Sequence, residues 1–478
     1  MQRIGWDRRL DVAADGKGLV GHAGVVLLRR LADRVGLTGE LAAALPVSAA
    51  RGWLDRSTVL VQLAIAIALG ATNLSDAERL AGHHRPLGLS GGSDSTMRRL
   101  LAGLDAAAHR RLARARARVR SRVWGLLAAA EQGFPWVEIA GKTLTGWCVI
   151  DLDATIITCA TRKEGAAGTF KGTWGHHPLA AWCANTMECL HMVLRPGNAG
   201  ANDTADHISV FGAALAQIPA AARRKVLVRI DGAGASHALL EHFHSLCTAW
   251  RRVFYTVGWK MTGADETAIA ALPETAWTEA VTTAGEVQHG YWIAELTGLS
   301  TRPGWPEGMR LIARRVRPSR RQMKNMTDFE KATGWVYSVQ ATNIGHTGLS
   351  RRLPGTGTIQ FLDVLGRHHA VVEDRVREAK ACGLRGLPSQ SWAVNASWIL
   401  AANIAADLDT WLQLLGLREE PGLADAEITT MRHRLYAIPA RIARHARRRT
   451  LRLASDWPWA IAFTQCWKRI GAIAPQPT

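Results

Sequence analysis

Apolar residues recur every three or four positions from about residue 19 to 130, in Val25-Val26-Leu27-Leu28 through Val35 and again from Leu60 to Leu69. That spacing predicts helices with one buried stripe each. The longest apolar run, Thr58 to Ala71, carries Gln62 and is too short to cross a bilayer, so it predicts a core helix. In Asn73-Leu74-Ser75-Asp76-Ala77-Glu78, Ser75 stands three residues before Glu78, the spacing of a capping box with Ser75 as the cap. Ser93-Asp94-Ser95-Thr96 opens another helix, which carries Met97-Arg98-Arg99-Leu100, and Gly133-Phe134-Pro135 ends the helical text.

Near residue 136 the period shortens. Val137-Glu138-Ile139, Cys148 to Thr158, Leu179 to Cys183 and Leu190 to Leu194 read as strands, followed by a helix around 203–217 and a strand from Val226 to Ile230. A helix from Ser236 to Cys247 and a strand over Val253 to Val257 come next. Strands first, then alternation with helices, predict an α/β, mixed-sheet core. From about 260 to 350 polar text with scattered Gly and Pro is broken by short strand-like pieces at Trp292-Ile293-Ala294, Met309 to Ala313 and Gly334 to Val339. A long apolar-periodic helix follows from about Ser391 to Leu415, then a tail with Arg441, Arg444, Arg447, Arg448, Arg449 and Arg452. The changes divide the chain into a helical domain (1–132), a first core segment (133–259), a β-rich insertion (260–350), a second core segment (351–420) and a basic carboxyl-terminal segment (421–478).

Charge changes the picture more than composition does. The chain carries a formal +19, and 49 of its 59 basic residues are Arg, the side chain that grips phosphate in a planar fork. A polyanionic partner, with nucleic acid the commonest, is one reading; arginine inflated by a GC-rich genome is the other. Short helices with basic residues near a helix start suit a helix-turn-helix-like DNA reader using Arg98 and Arg99, and equally a bundle that supports the next domain. Arg110, Arg111, Arg114, Arg116, Arg118, Arg120 and Arg122 crowd one helix with no acid between them. They mark either a DNA-backbone contact, with Arg114 and Arg118 foremost, or a solvated face. Seven cysteines without a CxxC pair argue for a reduced, cytosolic setting, and Met1 to Asp7 lacks the apolar core of a signal peptide. Cys183, Cys189 and His191 lie close in sequence but in an apolar strand-like segment, which predicts core packing and no zinc.

Three acids then stand out. Asp153 closes Cys148-Val149-Ile150-Asp151-Leu152-Asp153, and Asp231 follows Val226 to Ile230 and opens the turn Gly232-Ala233-Gly234. Glu373 lies in His369 to Lys380, where Val372, Val376 and Ala379 form a helical stripe. A carboxylate at the end of a central strand is expensive to bury without a cation or donor, and a divalent metal is the natural partner. Local alternatives are a strand-end Asp capping a helix and Glu373 pairing with Arg377 one turn on. Alternation places Asp151 and Asp153 on one face, so either could be the first acid of a site.

Read together, Ile150 to Thr155, Arg195-Pro196-Gly197-Asn198-Ala199-Gly200-Ala201-Asn202, Arg229 to Gly234 and Val372 to Lys380 resemble the DDE transposases of bacterial insertion sequences, in the hairpin-type, cut-and-paste branch. The resemblance implies a ribonuclease H-like core with a β-rich insertion before the final Glu, and Asp153, Asp231 and Glu373 as catalytic, metal-holding acids. It favours Asp153 over Asp151 because Thr155 follows two residues later. It further implies two Mg²⁺ per site, with Mn²⁺ as substitute, acting on terminal inverted repeats and target DNA in a homodimeric synaptic complex, in the cytoplasm at the nucleoid and away from membrane. Lys380 fits the family's Glu-to-Lys step of seven, whereas Gly366 stands where Tyr would fall and His369 where Arg would fall. Arg367, His368 and Arg375 are candidate substitutes for the phosphate contacts. Trp292 and Trp335 in the insertion are candidates for stacking on a flipped base, or else core residues. Two rivals remain: a sequence-specific DNA-binding protein with an inactive nuclease-like core, and a structure-specific nuclease without strand transfer.

Overall fold

The computed structural model describes residues 11, 13–45, 55–89, 91–159, 162–232, 234–300 and 304–475; Met1 to Asp7 and Ala233, named above, lie outside them. Six helices come first: α1 (Val25–Arg34), α2 (Leu37–Ala44), α3 (Arg56–Ala68), α4 (Leu74–Gly82), α5 (Asp94–Ala102) and α6 (Ala106–Ala129). The long apolar run is α3, started by Asp55, whose carboxylate accepts the Thr58 N–H at 2.8 Å, and buried on nearly every side. α5 begins at Ser93 as expected, but α4 does not begin at Ser75. Its cap is Asn73, whose Oδ1 accepts the Asp76 N–H at 2.8 Å, while Thr72 and Arg79 engage the Asp76 carboxylate. Glu78 turns instead to the Asp94 N–H at the start of α5. A tighter Asx cap two residues earlier outcompetes the serine.

The sheet strands are β1 (Cys148–Ala154), β2 (Leu179–Cys183), β3 (Cys189–Val193), β4 (Lys225–Ile230), β5 (Arg252–Trp259), β6 (Thr278–Val281), β7 (Val287–Glu295), β8 (Arg310–Val316) and β9 (Val336–Thr342). Their order is β6-β7-β8-β9-β5-β4-β1-β2-β3. β1, β4 and β5 run parallel, and β2 and β3 form an antiparallel meander on β1, the mixed α/β sheet expected of a ribonuclease H-like core. β9 joins β5 antiparallel, so the strands of the 260–350 text continue the same sheet. The strand expected from Cys148 to Thr158 stops at Ala154; Ile157–Thr158 leaves for a small sheet with Trp174–His176 and Ala167–Gly168.

Helices α7 (Thr204–Gln217) and α8 (His237–Ser245) cover one face of the sheet. On that side Cys148, Ile150, Leu152, Val226, Val228 and Ile230 join the core that also contains the stripes of α1, α3 and α6. The opposite face carries Val149 and Leu227 under Phe361, Leu362 and Leu365 of α9 (Ile359–Arg367). After α9 come a 3₁₀ turn over His368–Val371, α10 (Val372–Ala379) and α11 (Trp392–Leu412), which packs along α3. A hairpin of β10 (Ala440–His445) and β11 (Arg448–Leu453) and helix α12 (Ala460–Ala472) complete the described chain. No helix among the described residues is long and apolar enough to cross a membrane.

Candidate active site

Along β1 the face turned toward α9 changes character at each second residue, from Val149 to Asp151 to Asp153. The parallel register pairs Asp151 with Arg229 and Leu152 with Ile230, so Asp231 follows on β4 one step beyond, level with Asp153. Parallel strands put both acids at the same, carboxyl end of the sheet, where an open α/β sheet offers its crevice.

Asp151 is a closed, structural group. Arg229 Nε and Nη2 donate to its two oxygens at 2.6 and 2.7 Å, and His369 Nδ1–H donates to Oδ1 at 3.1 Å. Burial pushes the Asp151 carboxyl up, but Arg229 and His369 together hold it down at about 2. Arg229 Nη1 donates in turn to His368 Nδ1 at 2.8 Å. That imidazole accepts and is neutral, its pKa driven to about 4 by burial and by Arg229.

Asp153 is the reverse. Its partner among the described residues is its neighbour's backbone, the Ala154 N–H at 2.8 Å. Burial, then the charge of Asp231, and more weakly that of Glu373, raise its pKa to about 6, with His369 opposing. Asp231 is exposed and accepts the Gly234 N–H at 3.1 Å, holding the turn that follows β4. Glu373 is exposed in the first turn of α10. It does not pair with Arg377, which reaches Asp374 at 3.0 Å and Glu427 at 2.6 Å. Lys380, at the end of α10, has its pKa lowered by burial, then by Lys171 and Arg385, and raised by Asp153. The fold thus brings Asp153, Asp231, Glu373 and Lys380 within one electrostatic neighbourhood.

Other residues singled out in the sequence lie elsewhere or are already engaged. Arg367 donates to Asp363 at 2.9 Å and to the Val281 carbonyl at 2.7 Å. Arg375 pairs with Glu378 at 2.6 Å in a small cavity shared with Asp409. Trp335 is stacked by Arg315 and Arg317 at 4.6 and 3.9 Å, and Trp292 lies 6.0 Å from Arg315, which also holds Glu274. In α6, Arg116 and Arg120 are buried, Arg118 pairs with Glu40 at 2.5 Å, and Arg114 is exposed, as are Arg98 and Arg99 on α5. Cys183 and Cys189 pack in the core.

Two aromatic residues escaped the sequence reading. Trp259 ends β5, and its ring centroid lies 4.1 Å from that of Trp305, which in turn lies 3.8 Å from the tilted His237 ring. Gly258, just before Trp259, packs so tightly on Gly232 that a Cβ there would meet the Gly232 nitrogen at 2.7 Å. The aromatic pair therefore flanks the Asp231 turn. The available signal was position, since Trp259 ends a strand parallel to those of Asp153 and Asp231.

Gly366 explains one departure from the family pattern. A Cβ there would fall 1.8 Å from Gln340 Oε1 and 3.3 Å from Thr256 Oγ1, so α9 rests directly on β9 and β5 and a larger side chain fits only if Gln340 moves. At the other departure, His369 Nδ1 is spent on Asp151 while Nε2 is buried without a hydrogen-bond partner.

Among the described residues no three His, Cys, Asp or Glu side chains stand close enough to hold a metal ion in this arrangement. The donor chemistry nevertheless suits a hard divalent cation. Asp153, Asp231 and Glu373 offer carboxylate oxygens, and the Asp153 carboxyl is pushed up first by burial and then by the charge of Asp231, a repulsion that a cation would relieve.

No curated protein sequence matches the chain. Among solved structures it is similar to the piggyBac transposase in a synaptic complex with hairpin DNA, at 11% identity and a TM-score of 0.39, over 97% of this chain and 89% of that one. The family described as Transposase DDE domain group 1 matches residues 2–475, and the chain belongs to that family of DDE transposases.

Proposed function

We propose that this transposase binds the terminal inverted repeats of a bacterial insertion sequence and moves it by Mg²⁺-dependent cleavage and strand transfer. The observation that carries the reading is the Asp153 carboxyl, raised to about 6 by burial and by Asp231 and Glu373, at the carboxyl ends of parallel strands. Asp153, Asp231 and Glu373 would together hold two Mg²⁺, or Mn²⁺. Such ions, when bound, activate an attacking oxygen and offset charge on the leaving oxygen of an in-line displacement.

The chain's own residues supply the rest. The ion pair of Arg229 with Asp151 fixes the facing ends of β4 and β1, so the two acids keep their level. Lys380 presents a cation beside Asp153, suited to a phosphate of the DNA strand being cut. Arg98, Arg99 and Arg114, exposed on the helical segment, suit phosphates farther along the duplex. Pairing two element ends calls for two active sites, and a two-fold homodimer supplies them. The protein would act at the nucleoid.

The test is to incubate the protein and Mg²⁺ with a short element bearing its own terminal repeats. Double-strand excision and joined product are expected, and both should vanish in Asp153→Ala, Asp231→Ala and Glu373→Ala. Binding without cutting would mark an inactive core, and cutting without joining a plain nuclease.

A further inference from the structure

The hairpin β10–β11 is assembled against the ordinary preferences of paired strands. Its register sets Arg441 opposite Arg452, Arg444 opposite Arg449 and His445 opposite Arg448. Like charges directly across a strand pair, as in the two Arg–Arg pairs, destabilise it. The tip is Ala446-Arg447, with φ of 44° and 64°, two successive left-handed residues where a tight hairpin turn ordinarily takes Asn or Gly. No acid occurs from Ile428 through Ser455. The six arginines from Arg441 to Arg452 are all exposed, and the hydrogen bond they make among the described residues is Arg449 Nη2 to the Pro86 carbonyl, 3.2 Å.

This is nonetheless a seated element. β10 pairs on its other edge with Leu19–Val20, and the Ile442 N–H reaches the Gly18 carbonyl at 2.7 Å. Ile442, Leu451 and Leu453 share one face, which lines a groove with Val26, Phe463 and Trp467 of the helices. The other face carries three cross-strand pairs in succession: Arg441 with Arg452, Ala443 with Thr450, and His445 with Arg448. A pair of small side chains thus lies between two basic pairs. Beside them Lys17, Arg441, Arg444 and Arg452 border an open groove of about 750 Å³.

We propose that β10–β11 enters the major groove of double-stranded DNA, with Arg441, Arg448 and Arg452 on phosphates and Ala443 and Thr450 facing the groove floor. A two-stranded ribbon fits a major groove about 12 Å wide, and phosphate offsets the cross-strand repulsion that the chain itself leaves uncompensated. The small central pair lets the ribbon approach while its basic flanks reach both backbones. This rests on the DNA-handling reading above and adds a groove-binding element outside the catalytic sheet.

The test is fluorescence anisotropy with a labelled duplex in EDTA, so that binding is read without cleavage, across a series of salt concentrations. Arg441→Gln/Arg448→Gln/Arg452→Gln should weaken binding and lower the slope of log affinity against log salt by about 2 to 3, near 0.9 for each phosphate no longer neutralised. Its melting temperature should hold or rise, because like-charge pairs are removed, which separates weakened DNA binding from a damaged fold. An unchanged slope overturns the proposal. So does equal weakening toward single-stranded RNA, which would make the hairpin a general polyanion surface, and so does displacement of the wild-type protein by a minor-groove ligand such as netropsin. Cleavage is a separate readout: wild type that binds with the expected slope change but never cuts sinks the catalytic reading and leaves the hairpin standing.

Discussion

Arg229 grips Asp151 through two parallel hydrogen bonds of 2.6 and 2.7 Å, both side chains almost wholly buried, two residues below the level of Asp231 and Asp153. Two acids two residues apart on β1 thereby take opposite roles. Asp151 has its charge matched and locked. Asp153 keeps an unmatched carboxyl at the mouth of the sheet, which is where a reaction that needs cations can use it.

Removing Arg229 leaves a buried carboxylate without its cation and with His369 as its remaining donor, so Arg229→Met should destabilise the fold by about 3 to 5 kcal/mol. Asp151→Asn/Arg229→Met should recover much of that loss, because no charge is then stranded. Asp151 is held below its unfolded value, so the pair's contribution is present above about pH 4 and lost as pH falls through about 2. Urea titrations at several pH values check all three statements; additive single losses in the double variant would disprove the coupling.

Asp153 has the opposite sign. Its pKa is raised to about 6, so its charge works against the fold, and stability is lost as pH rises from about 4 through 6. In EDTA at pH 7.5, Asp153→Asn should therefore stabilise the protein, by about 2 kcal/mol once solvent screening is allowed for, while abolishing cleavage. Mg²⁺ should raise the melting temperature of wild type and barely move that of the variant. A less stable variant in EDTA would mean that Asp153 has a stabilising partner.

Gly366 is a packing requirement. Gly366→Ala gains helix propensity of about 1 kcal/mol but drives a methyl into Gln340 and against Thr256, so a net loss of about 1 to 2 kcal/mol is expected. Gln340→Ala should remove most of that loss, since the nearest obstacle is its side-chain oxygen. Melting curves of the two single variants and the double variant decide it; a stabilised Gly366→Ala alone would show that Gln340 swings aside freely.

Much of the sheet was legible because the signals are local. A β-branched run ending in Asp, followed by Thr or by glycines, marks β1 and β4 without any knowledge of the rest, and the alternation of Val149, Asp151 and Asp153 gives the shared face. Telling Asp151 from Asp153 by their surroundings needed Arg229 and His369, which lie 78 and 218 positions from Asp151 in the chain. The cap of α4 was misplaced for a local reason, since Asn73 and Ser75 compete within two residues. Trp259 and Trp305 went unnoticed because an indole at a strand end has no sequence mark that sets it apart from a core indole. The arginines of α6 misled for a longer-range reason. Arg116 and Arg120 fall on the buried stripe with Leu112, Val119 and Val123, and the acids that permit this come from other elements.

Those acids separate two arginines on one helix. Arg120 donates to Glu188 at 2.7 Å, to Gln217 at 2.5 Å and to Asp407 at 2.8 Å, and Glu188 also receives the indole N–H groups of Trp124 and Trp411. The network ties α6 to α7, α11 and the entrance of β3. Arg120→Met leaves Glu188 without its cation and weakens the hold on Asp407, so a loss of about 3 to 5 kcal/mol is expected, nearly independent of salt because water does not reach the site. Arg114, two turns earlier and exposed, should behave in the opposite way. Arg114→Gln should leave the melting temperature within about 1 °C of wild type, because surface changes usually alter stability by less than about 0.5 kcal/mol, yet lower the salt slope of DNA binding by about 1. Should Arg120→Met melt like wild type, the buried network is not holding the helical segment to the sheet; should Arg114→Gln leave the slope unmoved, α6 has no part in gripping DNA.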